Sequence, residues 1–166
     1  MGDLDGRVCI ITGASRGIGE EMARRFAADG AVVAVTARTA EEGDHRFAGS
    51  VTSTVASIAS AGGTALAVPA DLSRQEDRVR LVETVEKELG PVDILVNNAA
   101  ITYYEPIVEF RESHFRLMFE VQVRAPFELA QRVLPGMTGR RRGWILNISS
   151  GAARHPAGPP FQTYRS

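Results

Sequence analysis

Three glycines follow the first apolar segment of the chain at a spacing suited to binding phosphate. Gly13, Gly17 and Gly19 lie between a run typical of a buried strand and a stretch with helical periodicity. Glycine lets the backbone turn sharply and approach a ligand, and the following helix offers free N–H groups and a positive dipole end. The spacing differs from the usual G-x-G-x-x-G, so the prediction rests on the position of the glycines between a strand and a helix. The predicted site for a dinucleotide pyrophosphate comprises Gly13, Ser15, Arg16, Gly17, Ile18 and Gly19.

The end of the second predicted strand bears on the choice between dinucleotides. An NAD site places an acidic residue about 20 positions past the glycines, where it accepts a hydrogen bond from the ribose 2′-hydroxyl. Here that position holds Ala37, followed by Arg38. Arg38 and Arg16 together can hold a 2′-phosphate through charge-assisted bonds that a carboxylate would oppose. We therefore predict NADP(H) as the cofactor; the alternative is two surface arginines in an arginine-rich chain.

Short apolar segments alternate with helical periodicity along the chain, as in proteins with a parallel sheet. Buried strands are predicted at residues 7–12, 31–37, 64–69, 92–96 and 144–148. Helices are predicted at residues 18–30, 51–61, 73–89 and 111–134, the last with a kink near Pro126. Ser73 and Glu76 have the spacing of a capping box at the start of the third helix. The pattern predicts an α/β fold with a doubly wound parallel sheet.

The composition is that of one folded domain covering residues 1–166. Its 44% hydrophobic and 23% charged residues argue against a disordered or fibrous chain. A formal net charge of −1 argues against partners such as nucleic acid or a membrane surface. The start lacks a secretory signal, so a cytoplasmic location is expected. Because His45, His114 and His155 are widely spread in sequence, no metal site is expected.

Three short motifs occur in an order and at a spacing that resemble the short-chain dehydrogenase/reductase family. They are Thr12–Gly19, Asn97–Ala100 after the fourth predicted strand and Asn147–Ser150 after the fifth. The resemblance implies a Rossmann fold, a nicotinamide cofactor, and hydride transfer to or from a small-molecule carbonyl or alcohol substrate. It also implies further strands after the fifth, so the dinucleotide-binding domain at residues 1–166 is expected to be incomplete at its carboxyl terminus.

The resemblance assigns further residues to the cofactor. It implies that Asp71, beside Leu72, faces the adenine amino group. It also implies that Asn97 lies along the adenosine half, that Ala99 contacts the cofactor, and that Asn98 ties neighbouring strands together. Asp71 is alternatively a turn acid ahead of the predicted cap, and a purely structural role is a serious alternative for Asn98.

The catalytic end departs from the family pattern. The family uses a tyrosine as acid/base, a lysine four residues later that lowers its pKa, a serine that orients the substrate oxygen, and usually a helix asparagine. Ser150 matches the serine, with Ser149 as the less favoured alternative, and Gln122 stands where the asparagine usually lies. Gln122 either holds a water in the proton relay or only decorates the helix. Tyr164 follows Ser150 at close to the family spacing, but the single lysine of the chain is Lys87.

Two interpretations stay open for Tyr164 and for the chain as a whole. Tyr164 is either the catalytic tyrosine or part of a lengthened loop ahead of the true one, and the unusual residues after it favour the second. The first functional hypothesis is the amino-terminal part of an NADP(H)-dependent oxidoreductase, catalytically incompetent on its own. The alternative is a noncatalytic NADP-binding or interaction protein ending at residue 166. In the family, the region of the 111–134 helix commonly forms a dimer face, so a homo-oligomer is expected.

Overall fold

The computed structural model describes residues 2–41, 43 and 48–151, in which strands alternate with helices. The strands are β1 (Val8–Thr12), β2 (Val32–Thr36), β3 (Thr64–Ala67), β4 (Ile94–Asn97) and β5 (Trp144–Asn147). The helices are α1 (Gly17–Ala28), α2 (Val51–Ser60), α3 (Gln75–Glu88), α4 (Glu112–Phe119) and α5 (Ala125–Gly139). A 3₁₀ turn (Ile107–Glu109) precedes α4, and a π-helical stretch, the π segment (Glu120–Arg124), joins α4 to α5. The predicted strands are all present, with ends displaced by one or two residues.

The strands form one parallel sheet in the order β3-β2-β1-β4-β5. The chain proceeds outward from β1 first in one direction and then in the other, so its crossover helices cover both faces. All residues of β1 are buried, as expected for a central strand covered on both sides. The predicted doubly wound parallel sheet is therefore confirmed.

Two apolar clusters lie on the two faces of the sheet. Because successive side chains of a strand point to opposite faces, neighbouring residues of β1 belong to different clusters. Ile10 packs in the cluster that includes Leu81 of α3 and Leu129 of α5. Ile11 packs in the cluster that includes Ala23 of α1 and Ile58 of α2. The central strands are thereby held in place from both sides, which fixes the carboxyl ends from which the candidate site is built.

The capping box predicted at Ser73 and Glu76 is wrong. Helix α3 begins at Gln75, and its N-cap residue makes no side-chain capping bond. The Ser73 hydroxyl instead donates to Asp71 Oδ1 at 2.8 Å, so it is not available to the helix. A capping box is found at the start of α2, where Ser50 and Ser53 satisfy each other's backbone N–H groups.

The long helix predicted around Pro126 is interrupted as expected, although the structure places the interruption just before the proline. The π segment occupies Glu120–Arg124, and Pro126 lies in the first turn of α5. Proline has no N–H to donate, so it is best accommodated in the first turn of a helix, although α5 also contains Pro135 in its interior. Helix α5 continues to Gly139, past the predicted end.

Strand β5 lies at one edge of the sheet within the described residues, and its apolar side chains are poorly covered. Trp144 is 49% exposed, Leu146 40% and Ile148 43%. An uncovered apolar edge of this kind is prone to pair with another strand. None of the described helices is both long enough and apolar enough to cross a bilayer.

Candidate functional site

Two neighbouring cavities open at the carboxyl ends of the strands. The first cavity, of about 280 Å³, is lined by the predicted residues Gly13, Ser15, Arg16, Arg38, Asp71, Leu72 and Ala99. The second cavity, of about 730 Å³, is lined by the predicted residues Ile18, Asn97, Ala99, Gln122 and Ser150. Open parallel sheets bind ligands at this edge, where the strand order reverses direction. Most of the sequence-predicted residues of the described part therefore line one two-part cleft, although Gly17 and Gly19 line neither cavity.

The glycine turn between β1 and α1 leaves room for a ligand and packs tightly beneath it. Gly17 has a φ of +59°, and no atom lies within 4 Å of the position that a Cβ would occupy. A side chain is disfavoured there by the backbone conformation, and the open space lets a ligand approach the main chain. Gly19 has the opposite surroundings, because a Cβ would overlap the Gly13 carbonyl oxygen. One glycine thus keeps the surface open while the other allows α1 to start close to β1.

Asn98 ties β1 to β4 at the floor of the cleft. Its Nδ2 donates to the Thr12 carbonyl at 2.9 Å and to the Gly13 carbonyl at 3.3 Å. In return, the Thr12 hydroxyl accepts from the backbone N–H groups of Asn98 at 2.9 Å and Ala99 at 3.0 Å. The predicted tie between neighbouring strands is present, and it satisfies polar groups that would otherwise be costly to bury.

Arg16 holds the segment after β2 against the glycine turn. Its Nη2 donates to Thr39 Oγ1 at 3.0 Å and to the Gly49 carbonyl at 2.9 Å. Helix α2 also bonds to the glycine turn, because the Thr54 hydroxyl donates to the Ala14 carbonyl at 3.1 Å. These contacts were not predicted from the sequence, because no periodicity or motif specifies how an irregular loop folds back. They preorganise Arg16 at the edge of the first cavity.

The end of β2 presents cationic side chains to the first cavity. Ala37 occupies the position at which an NAD site has its carboxylate, and the exposed Arg38 follows it. Arg16 lines the same cavity from the glycine turn. A guanidinium offers several donors in a fixed plane and binds phosphate in a bidentate manner. This end of the cleft suits a phosphate group and not a free ribose 2′-hydroxyl.

Asp71 and Leu72 form the far wall of the first cavity in the turn after β3. Asp71 Oδ1 accepts a hydrogen bond from the Ser73 N–H at 3.0 Å, so the Asp71 side chain stabilises the turn. The Asp71 N–H donates to Asp77 Oδ2 at 2.8 Å, and this bond is the largest cause that lowers the pKa of the Asp77 carboxyl. These bonds hold the turn in place without a ligand. Asp71 can therefore shape the turn and line the first cavity at the same time.

Asn97 lies in the second cavity and not beside Asp71 in the first, where the adenosine half was expected. Asn97 is paired in register with Asn147 of β5, and its Nδ2 donates to Asn147 Oδ1 at 2.9 Å. Asn98, in contrast, bonds to Thr12 at the end of β1. Within the described part of the chain, Asn97 Oδ1 and Thr102 Oγ1 are buried without a hydrogen-bond partner. Unpartnered buried polar atoms at a cavity wall indicate a polar ligand.

Gln122 belongs to the π segment and lines the second cavity together with Ser149 and Ser150. Its Oε1 accepts a hydrogen bond from the Ile101 N–H at 2.9 Å. The side chain therefore ties the loop after β4 to the π segment, which is more than decoration of a helix. With the amide oxygen engaged, Nε2 is the group that can donate to a ligand or water. π-helical turns of this kind recur at functional sites.

The remaining predicted catalytic groups are distributed as follows. Ser150 is exposed at the second cavity. Tyr164 lies outside the described residues, as do His45 and His155. Lys87 lies near the end of α3, 81% exposed and paired with Glu88, and it lines neither cavity. In the part of the chain that the structure describes, no three potential metal ligands come together.

The cleft fits a dinucleotide from end to end. Arg16 and Arg38 provide positive charge at one end, and the open backbone at Gly17 lies where the chain turns into α1. Helix α1 directs its free N–H groups and positive dipole end toward that turn. At the other end, the buried and unpartnered Asn97 Oδ1 can accept a hydrogen bond from a carboxamide, and the Thr102 hydroxyl can accept or donate one. The residues present therefore suit a nicotinamide dinucleotide.

Comparisons with known proteins agree with this arrangement. A short chain dehydrogenase of Pseudocercospora fijiensis is 38% identical over 98% of this chain and 50% of its own length. A fatty acyl-CoA reductase of Mycobacterium tuberculosis is 34% identical over 99% of this chain and 54% of its own length. Among solved structures, a metagenomic short-chain oxidoreductase in complex with NADP superposes with a TM-score of 0.86. The superposition, at 32% identity, covers 97% of this chain and 69% of the other.

The chain spans about half the length of the curated relatives it matches. The family described as short chain dehydrogenase matches residues 7–165, which is nearly the whole chain. The three motifs that suggested this family lie together around one cleft, at the carboxyl edge of the parallel sheet. This chain belongs to the short chain dehydrogenase family.

Proposed function

We propose that this chain forms the NADP(H)-binding part of an oxidoreductase that transfers a hydride between nicotinamide and a carbonyl or alcohol substrate. The observation that carries the proposal is the pair Arg16 and Arg38 at the first cavity, with Ala37 in place of a ribose-binding carboxylate. A related solved structure with the same fold contains NADP, which supports the same choice. When bound, the nicotinamide supplies or accepts the hydride. The chain's residues bind and orient the reactants.

The proposed cofactor roles follow the cavities. The glycine turn holds the pyrophosphate through Ser15, Gly17, Ile18 and Gly19, with Gly13 beneath it. Arg16 and Arg38 bind the 2′-phosphate, and Asp71 and Leu72 face the adenine. We assign Asn97 and Ala99 to the nicotinamide half, because both line the second cavity. No metal ion has a role in this proposal.

The proposed catalytic roles lie in the second cavity. Ser150 donates a hydrogen bond to the substrate oxygen, which fixes its distance from the nicotinamide. Gln122 offers Nε2 as a donor while its Oε1 stays bonded to the Ile101 N–H. Tyr164 lies outside the described residues and stays a candidate for the acid, because it follows Ser150 at close to the family spacing.

We infer that the domain is carboxyl-terminally incomplete as a catalytic unit. The apolar side chains of β5 are about half exposed in the described residues, and further strands paired to β5 would cover them. The resemblance implies that a helix accompanying those strands bears the lysine that a catalytic tyrosine needs, since Lys87 lies on α3 and lines neither cavity. The alternative is a noncatalytic NADP-binding protein, favoured by one observation: the first cavity is well formed while no lysine lines the second.

The intact mass of the polypeptide made from its native gene separates these possibilities. A mass near that of a family-sized chain, roughly 250 residues, supports the oxidoreductase. A mass of 17.9 kDa, matching the 166 residues, supports the noncatalytic alternative.

Removal of the Ser150 hydroxyl tests the proposed reaction. With the native gene product, loss of NADPH absorbance over a panel of carbonyl compounds identifies a substrate. For that substrate, Ser150→Ala is expected to lower kcat about 100-fold, the usual loss for one donor to a reacting oxygen. Ser149→Ala is the matched control and should change kcat by less than about threefold. Equal activity of the Ser150 variant and the starting enzyme would contradict the assigned role.

We propose that the protein is a homo-oligomer whose contact includes the outer row of α4, the π segment and α5. Phe115, Phe119, Val123 and Phe127 recur every fourth residue and are each about half exposed or more. The Phe115 and Phe119 rings stack on each other with centroids 6.2 Å apart. A contiguous apolar row of this size on a helical face is typical of a protein interface, and a second copy presents a matching row. We also infer a cytoplasmic location, with no nucleic-acid or membrane partner.

Charge placed in this row tests the interface. Phe119→Lys is expected to lower the mass measured by light scattering toward that of one chain, because an ammonium would be desolvated in the contact. Glu83→Lys, on the exposed face of α3, is the control and should leave the mass unchanged. An unchanged mass for the Phe119 variant would rule out this row as the contact.

A further inference from the structure

Arg78 is a buried cation that neither the glycine turn nor the catalytic motifs account for. It lies in the first turns of α3 and is 1% exposed, the largest fully buried side chain described. Removing a guanidinium from water is costly unless its charge is paired and its donors are satisfied. Hydrophobic periodicity marks only the apolar residues of a buried helix face, so it does not identify a buried arginine.

Arg78 donates hydrogen bonds to three groups from different parts of the fold. Nε donates to Glu128 Oε2 of α5 at 2.8 Å. Nη1 donates to the Leu72 carbonyl at 2.6 Å and to Glu120 Oε2 at 3.3 Å. The two carboxylates compensate the buried charge, and the Arg78 guanidinium holds the pKa of the Glu128 carboxyl below its usual range.

A second arginine closes the network on its solvent side. Arg124 Nη1 donates to Glu120 Oε1 at 3.1 Å, and its Nε donates to Glu128 Oε1 at 3.0 Å. Each carboxylate therefore lies between the buried guanidinium and a half-exposed one. The network fixes the rotamers of four long side chains, which surface ion pairs rarely do.

The network joins the two halves of the cleft. The Leu72 carbonyl belongs to the wall of the first cavity, and Glu120 and Arg124 are the first and last residues of the π segment. Between them lies Gln122, which lines the second cavity and bonds to Ile101. The Arg78 side chain therefore bonds both to the turn that contains Leu72, at the first cavity, and to the π segment. The π segment in turn places Gln122 at the second cavity.

We propose that Arg78 is a positioning residue that couples the Leu72 turn (residues 70–73) to the π segment, so that filling the first cavity orders the second. Its direct contacts are with protein groups, and it acts on the cofactor through them. The role of Arg78 in holding the two segments stands on the geometry alone. Its consequence for the cofactor rests on the proposed function.

Hydrogen exchange of the ligand-free protein tests the coupling first. Arg78→Met, which keeps the length of the side chain and removes its donors, is expected to speed amide exchange about tenfold in both the Leu72 turn and the π segment. Helix α2, on the opposite face of the sheet, should exchange at an unchanged rate. Arg24→Met is the matched control, because Arg24 is half exposed on α1 and pairs only at the surface with Glu20. It should leave both segments unchanged.

A paired variant separates positioning from stability. In Arg78→Met/Glu128→Met the carboxylate that loses its buried partner is removed as well, and apolar replacement of a buried ion pair commonly recovers the melting temperature. Fast exchange in both segments should persist there despite that recovery. If exchange rises in only one segment, rises equally in α2, or returns to the starting rate in the paired variant, Arg78 does not couple the segments. Should Arg78→Met fail to fold, the paired variant provides the same comparison.

A fragment of the cofactor tests the consequence. Adenosine 2′-phosphate can fill only the first cavity, and its binding is expected to slow exchange in the π segment of the starting protein and of Arg24→Met. In the paired variant it should still slow exchange in the Leu72 turn but no longer in the π segment. Protection of the π segment in that variant would overturn the coupling. If the fragment binds none of the proteins, the proposed cofactor site is wrong, while the ligand-free comparison still decides the role of Arg78.

Discussion

Replacing Arg38 by aspartate is expected to reverse the cofactor preference of the protein, from NADPH to NADH. In the starting protein Arg38 and Arg16 line the end of the first cavity, where a 2′-phosphate would lie. The introduced carboxylate would repel that phosphate and could accept a hydrogen bond from a free ribose 2′-hydroxyl. Loss of one charge-assisted contact and gain of one repulsion should weaken NADPH binding about 100-fold, measured as a dissociation constant by fluorescence titration.

Arg24→Asp is the control for the Arg38 substitution. It makes the same change of charge on α1, at a half-exposed residue that lines neither cavity. Its effect on NADPH affinity should stay within about threefold and should fade as salt screens the long-range charge. If Arg38→Asp leaves the preference for NADPH intact, Arg38 does not bind the 2′-phosphate, and Arg16 becomes the principal candidate.

Replacing Gly19 by alanine is expected to destabilise the protein and displace the glycine turn. The added Cβ would overlap the Gly13 carbonyl oxygen, which is backbone and has little freedom to move. Overpacking of this kind costs about 3 kcal/mol of unfolding free energy, or roughly 6–12 °C in melting temperature for a domain of this size. Because the start of α1 must shift away from β1, the phosphate-binding N–H groups move with it, so NADPH binding should be lost as well.

Gly139→Ala provides the contrast for Gly19→Ala. A Cβ at Gly139, the last residue of α5, would have no neighbour within 4 Å. Alanine favours helix over glycine, so the melting temperature should stay the same or rise slightly, with NADPH affinity unchanged. A Gly19→Ala protein that melts like the starting protein would contradict the close packing of the turn.

The sheet and the position of the cleft could be predicted because the sequence carries local signals for them. Apolar runs bounded by glycine marked the strands, as for Val8–Thr12, whose residues are all buried. A parallel sheet brings all its carboxyl ends to one edge, so residues after different strands were expected to meet. Gly13, Asp71 and Asn98 do meet there, although they are far apart in sequence.

Details of the site that depend on neighbouring side chains could not be predicted in this way. Ser73 matches a capping box in sequence, but Asp71 takes its hydroxyl. Asn97 was placed at the adenosine half, and its actual direction depends on Asn147 of β5, a partner fifty positions along the chain.

Arg16 and Arg78 illustrate contacts for which the sequence has no signal. The loop that bonds to Arg16 reaches it only after the chain folds back from β2 to α2. Arg78 occupies a helical position that periodicity treats as interchangeable with an apolar one, and only the convergence of Glu120, Glu128 and the Leu72 carbonyl makes it a buried cation. The contacts of both arginines follow from tertiary geometry, not from residue spacing.

Calorimetric titration of the protein with NADPH and, separately, with NADH tests the central claim most directly. We expect NADPH to bind once per chain and at least about tenfold more tightly than NADH, because only NADPH carries the 2′-phosphate that Arg16 and Arg38 can hold. Equal affinity for the two nucleotides, or no heat of binding with either, would contradict it.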